Sequence, residues 1–161
     1  YRIAAMGDFY GNGQTDLVWT SASNDLYMWV PNGKGNGFSS TYMGTYPAGW
    51  TLVGAGDVNG DGKDDLLWRN QSAGLFGYWL MNGASEISGA TFAAASNYSI
   101  AAIGDFNGDG KTDVMWTSAA NDLYLWSSNG STFNASFVGT YPAGWSVIPS
   151  QLMAAYRYPP Q

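Results

Sequence analysis

What most constrains this chain is a threefold internal repeat. Three segments align, MGDFYGNGQTDLVW from Met6, AGDVNGDGKDDLLW from Ala55 and IGDFNGDGKTDVMW from Ile103, so the copies start 49 and then 48 residues apart. A chain of such copies must fold as units that stack on their neighbours, because no single unit can bury its own apolar face. Each acidic segment leads into a short apolar run ending in Trp19, Trp68 or Trp116. A second run follows, containing Trp29, Trp79 or Trp126, and then an Asn-Gly turn at Asn32, Asn82 or Asn129.

The turn signals and the absence of a 3.6-residue apolar period predict four short strands per unit. In the middle unit they are expected at Trp50 to Ala55, Asp65 to Arg69, Leu75 to Met81 and near Ala90 to Ala94. The 22 glycines and the 16% aromatic content suit tight turns between pleated, half-buried strands. Four antiparallel strands in roughly 48 residues match the size of a propeller blade, and blades ring in sets of about four to eight. The expected fold is therefore all-β, a single propeller domain over residues 1–161. Repeats fall at about 1–49, 50–97 and 98–144, and residues 145–161 form a partial closing or capping unit that supplies one extra C-terminal strand.

A second pattern overlies the first. The stretch WTSASNDLYMW followed by GTYPAGW returns in the third unit as WTSAANDLYLW and GTYPAGW, whereas the middle unit reads WRNQSAGLFGYWLMNG. The order is A, B, A. Three blades fall short of a ring and leave apolar faces open, so either a homo-oligomer or a piece of a longer propeller is expected.

The acidic segments follow, wholly or in part, the template Asp-x-Asn/Asp-x-Asn/Asp-Gly-x-x-Asp. Calcium takes about six to eight oxygen ligands, and this spacing turns alternate donors toward one point while glycine permits the bend. In the second loop the donors are Asp57, Asn59, Asp61, the carbonyl of Lys63 and Asp65; in the third, Asp105, Asn107, Asp109, the carbonyl of Lys111 and Asp113. The first loop keeps Asp8, Asn12, the carbonyl of Gln14 and Asp16, but has Tyr10 where an oxygen donor is expected, so weaker binding follows. Asp, Asn and Gly also gather in ordinary turns, which is the structural alternative. Crowding of carboxylates favours the cation, since they repel one another without it.

Other chemistries are poorly served. The chain has no His and no Cys, and its single glutamate is Glu86, expected in a surface turn. General bases and thiol nucleophiles are missing, so the protein is not expected to be an enzyme. A net charge of −6 leaves no basic patch for nucleic acid, and no apolar run is long enough for membrane insertion. The chain opens at Tyr1 without an initiator methionine or signal pattern, as a processed product or fragment would.

GDFNGDGKTD followed by an apolar strand, with LLWRN and YWLMNG in the middle unit, resembles the FG-GAP or VCBS-type repeat. That family includes the propeller of integrin alpha subunits. The resemblance implies that each repeat is one blade and that the aspartate loops bind Ca2+ through the donors named above, Tyr10 being the departure. The segments NGKGNGF at Asn32 and AGW at Ala48 are also similar to repeats of fungal propeller lectins of the Psathyrella velutina type. All eight tryptophans occupy repeat positions, which suits packing between blades as well as a repeated sugar site. The carbohydrate-binding candidates are Tyr46, Trp50, Tyr141 and Trp145 of the two TYPAGW segments. The reading is a calcium-stabilised, secreted module for glycans or cell-surface glycoproteins; the alternative is a propeller for protein adhesion or scaffolding without sugar binding.

Overall fold

A computed structural model describes residues 1–147, and its described residues contain twelve strands and no helix. No element is therefore a helix long and apolar enough to cross a membrane. The strands are β1 (Arg2–Gly7), β2 (Asp16–Thr20), β3 (Asp25–Pro31), β4 (Phe38–Thr45), β5 (Thr51–Gly56), β6 (Asp65–Asn70), β7 (Leu75–Asn82), β8 (Ser85–Ala93), β9 (Tyr98–Gly104), β10 (Asp113–Ser118), β11 (Asp122–Ser128) and β12 (Phe133–Thr140). They form three four-stranded antiparallel sheets, each a meander of consecutive strands. These are three propeller blades, one per repeat.

The fourth strand of the middle blade starts earlier than the sequence suggested. Gly83 takes a left-handed φ of 60°, so the chain turns back at once and Asn82 pairs with Ser85. The additional strand expected from Trp145 is not formed by residues 145–147, and the remainder of that segment lies outside the described residues.

Turns between the second and third strands of each blade need a left-handed residue. Asn24 and Asn121 supply it at φ of 60° and 59°, and Gly74 does so in the middle blade at 64°. Asn tolerates this geometry better than other residues with a side chain. In blades one and three an aspartate follows and fastens the turn to the tyrosine at the start of the blade. Asp25 accepts from the Tyr1 hydroxyl at 2.7 Å, and Asp122 from that of Tyr98 at 2.8 Å.

Each sheet has a leading face, which carries the paired tryptophans, and an opposite trailing face. The trailing residues Val18, Leu26 and Met28 of blade one bury against Leu66 and Trp68 of blade two. Blade two in turn buries Leu67, Phe76 and Tyr78 against Val114 and Trp116 of blade three. Two cores result, one per seam.

At the acidic end, each seam closes on a glycine. A Cβ added to Gly7 would strike the Asp64 side chain of the next blade, and one added to Gly56 would strike Thr112. Among the described residues, a Cβ added to Gly104, at the same place in blade three, meets only the Phe106 ring, at 3.9 Å. Backbone bonds cross the seams beside these ledges, Asp64 N–H to the Asp8 carbonyl at 2.9 Å and Thr112 N–H to the Asp57 carbonyl at 2.6 Å.

Candidate functional site

Two repeated features carry chemistry, an aromatic groove on each leading face and the acidic loop between the first two strands. The grooves are built alike. Each holds an aromatic from the approach to the first strand (Tyr1, Trp50 or Tyr98), a second-strand tryptophan and a third-strand tryptophan. The two tryptophans stand 5.0, 4.7 and 5.1 Å apart in blades one to three, tilted rather than stacked. The indole N–H of Trp19, Trp68 and Trp116 is sealed from solvent with no hydrogen-bond partner among the described residues, so these side chains act as packing groups.

Blade two has the distinctive groove. In blades one and three the residue paired with the second-strand tryptophan is a tyrosine, Tyr27 or Tyr124, which meets Tyr1 or Tyr98 edge-on at 5.8 or 5.7 Å. Blade two has Gly77 there, paired with Trp68. The space the missing ring leaves is part of a cleft of about 330 Å³ lined by Tyr46, Trp50, Trp68, Trp79 and Glu86 among others. Tyr46 forms its floor, 8% exposed, with its hydroxyl 3.0 Å from Thr20 Oγ1 and its ring 4.9 Å from Trp68. Trp50 is half-buried at the wall. Glu86 lies in β8 at the rim, and partial burial raises its pKa.

In the acidic loops, the first aspartate is wrapped by the loop's own backbone. Asp57 accepts from the N–H groups of Gly60 at 2.6 Å, Asp61 at 3.1 Å and Gly62 at 2.7 Å. Asp105 accepts from Gly108, Asp109 and Gly110 in the same way, and these bonds hold its pKa below the usual carboxylate range, the Gly110 bond foremost. Asp8 accepts from Asn12 and Gly13. Asn59 and Asn107 then each receive the N–H two residues on, and Asp61 and Asp109 receive those of Lys63 and Lys111.

The last aspartate of each loop is buried inside the blade. Asp65 accepts the N–H of Val58 on one oxygen and that of Met81 on the other, both at 2.9 Å. Asp113 does the same with Phe106 and Ser128. Burial pushes the Asp65 pKa up to about 7 despite those two bonds. Asp16 takes the Phe9 N–H at 3.1 Å, yet its Oδ1 has no partner among the described residues. The reason lies in sequence: the residue two beyond the third-strand tryptophan is Met81 or Ser128 in the other blades, and here it is Pro31, which has no N–H.

Pro31→Ala is therefore expected to stabilise the protein by about 0.5–1.5 kcal/mol, the net worth of one restored hydrogen bond to a buried acceptor. Urea unfolding measures it. A loss of stability would show that the ring of Pro31 matters more than the missing donor.

All donors in these loops are oxygens, the set a hard cation prefers. Among the described residues, no group of three or more acidic side chains converges as a ready metal cage.

The family model for FG-GAP-like repeats matches residues 8–68 and again residues 57–116, which together span more than half of the chain. The chain belongs to the FG-GAP-like repeat family. A search of the curated proteins found no match.

Each FG-GAP-like match runs from the first aspartate of one acidic loop to the second-strand tryptophan of the next blade, so it spans a seam. Of the sequence-predicted sugar candidates, the fold brings Tyr46 and Trp50 together in the middle cleft. Tyr141 and Trp145 sit instead at the trailing end of blade three, where Tyr141 bonds Thr117 at 3.0 Å and Trp145 is 71% exposed. Tyr10, the misfit of the FG-GAP-like loop one, lies over Gly83 of blade two, where no Cβ fits. It is a seam residue. Sequence reasoning placed Glu86 in a surface turn and missed the opening at Gly77; aligning the units on Trp79 would have exposed the tyrosine-to-glycine exchange.

Proposed function

We propose that this FG-GAP-like propeller is a calcium-stabilised, non-catalytic module that binds carbohydrate in its inter-blade grooves. The observation that supports it is the recurrence of one aromatic groove at the same position of every blade, opened in the middle blade by Gly77 and rimmed by Glu86. Trp50 offers a face for the apolar side of a pyranose ring, and the Glu86 carboxylate accepts hydrogen bonds from ring hydroxyls. Neutral glycans suit a chain of net charge −6 better than anionic ones.

The residues that would hold Ca2+ are Asp57, Asn59, Asp61, Lys63 and Asp65, and Asp105, Asn107, Asp109, Lys111 and Asp113. Their support is the donor chemistry and its repetition. The ion would neutralise carboxylates that otherwise crowd one another in these loops. A module that needs calcium at about 10⁻⁴–10⁻³ M belongs outside the cell, among glycans and surface glycoproteins.

A glycan array read with and without calcium tests the reading, followed by titration of the best glycan into Trp50→Ala. The expected result is binding to the parent protein and a loss of about tenfold or more in the variant. A variant that stays folded and binds as before would overturn the groove as the site. Binding and melting temperature both indifferent to calcium would overturn the metal's role.

A further inference from the structure

The two seams are packed by opposite choices of residue size. Between blades one and two, Tyr46 of the trailing blade lays its ring on Trp68, and the residue paired with Trp68 is Gly77. Between blades two and three, the position of Tyr46 is taken by Ala94. The two correspond by geometry, since Tyr46 N–H bonds the Asn24 carbonyl at 2.9 Å and Ala94 N–H bonds the Gly74 carbonyl at 2.8 Å. The residue paired with Trp116 is now Tyr124. Each seam thus holds one tyrosine at this point, supplied by the trailing blade in the first and the leading blade in the second. Interiors pack at crystal-like density, so two rings in that space would overfill it and none would leave a void.

The two outer faces of the described blades can be judged by the same rule. Blade three ends on Tyr141, whose N–H bonds Asn121 at 2.9 Å and whose hydroxyl meets Thr117, repeating Tyr46 with Asn24 and Thr20. Blade one presents Tyr27 opposite Trp19. A second copy of this chain seated head to tail would bring Tyr141 and Tyr27 into one space. A blade of the middle type answers both faces: its glycine receives Tyr141, and its alanine leaves room for Tyr27. Its trailing face also supplies Phe76, which meets Trp116 at 5.4 Å edge-on, and blade one offers the equivalent Trp19 with Trp29 beside it, 38% exposed.

We propose that both outer faces of the three described blades are built to receive a blade of the middle type, so that the propeller continues by strict alternation. The partner is defined by chemistry: alanine, phenylalanine and arginine where blade two has Ala94, Phe76 and Arg69 toward blade one, and glycine with paired tryptophans toward blade three.

Self-association of the full chain tests the rule by sedimentation equilibrium. Tyr27→Gly and Tyr141→Ala each turn the head-to-tail contact between copies into a one-tyrosine seam, and each is expected to tighten self-association about tenfold or more over the parent. Two variants guard against one failing to fold. The double variant, with no ring at the seam, should fall back toward the parent. Extending the full chain with a second copy of residues 50–97 should also promote association, because that copy ends on the Ala94 type. No tightening in either folded single variant, or a double variant as tight as the singles, would overturn the alternation. A parent chain that associates as tightly as the single variants would show that a second copy is the natural occupant.

Discussion

Arg69→Met is expected to cost about 3–5 kcal/mol, because it removes a buried guanidinium that donates to four backbone carbonyls, of which Ala95 and Tyr98 keep a second donor in the Tyr98 N–H and the Gln71 amide. Arg69 is 5% exposed and has no carboxylate partner among the described residues. Its fork donates to the carbonyls of Leu75, Ala94, Ala95 and Tyr98 at 2.7–3.1 Å, and its Nε donates to Gln71 at 2.9 Å. Its guanidinium also lies 5.2 Å from the Trp116 ring, and burial pulls its pKa down. These bonds bolt the crossing from blade two to blade three onto β6. Lysine cannot replace the fork, so Arg69→Lys should recover little. Urea unfolding gives the stability, and limited proteolysis around residues 94–98 gives the location. A loss under about 1 kcal/mol, with that crossing still protected, would show that the carbonyls find water readily.

Asp65→Ala is expected to lose about 2–6 kcal/mol, since it orphans two buried N–H groups at about 1–3 kcal/mol each. Against a typical net stability of about 5–15 kcal/mol, that approaches unfolding. Asn is no rescue, because its amide NH2 would face one of the two donors. Asp16→Ala should lose clearly less, since it frees only the Phe9 N–H and at the same time removes an unpartnered buried oxygen. Chemical denaturation of both variants without calcium compares them. Equal losses would mean that metal-independent burial, rather than the two N–H bonds, sets the value of this aspartate.

The blade architecture was legible because the repeat, the turn residues and the paired tryptophans point to the same answer. The acidic loops were legible as loops, with their aspartates read as one set of equivalent donors. Their internal wiring was not: a spacing rule treats Asp57 and Asp65 alike, whereas folding surrounds one with exposed N–H groups of its own loop and buries the other beneath the next strand. The middle cleft was half visible. Tyr46 and Trp50 stood out as aromatic residues in a copied segment, but the cleft depends on the missing side chain at Gly77, and an absence shows only in register. Arg69 escaped notice for a related reason. The A blades have Thr20 and Thr117 there, so nothing in the alignment marked it as a structural bolt.

The glycines at the acidic end carry a consequence for how the repeats compare. An alignment gives Gly7, Gly56 and Gly104 the same letter and invites the same explanation for all three. In the molecule, the first two are obliged by the side chains of Asp64 and Thr112 pressing on them from the neighbouring blade, and among the described residues no neighbouring blade presses on the third. The requirement belongs to an address in the array and not to the repeat itself. Each blade's freedom to change at that position is set by whoever stands behind it, so a sequence motif that looks intrinsic to the unit is the imprint of its neighbour.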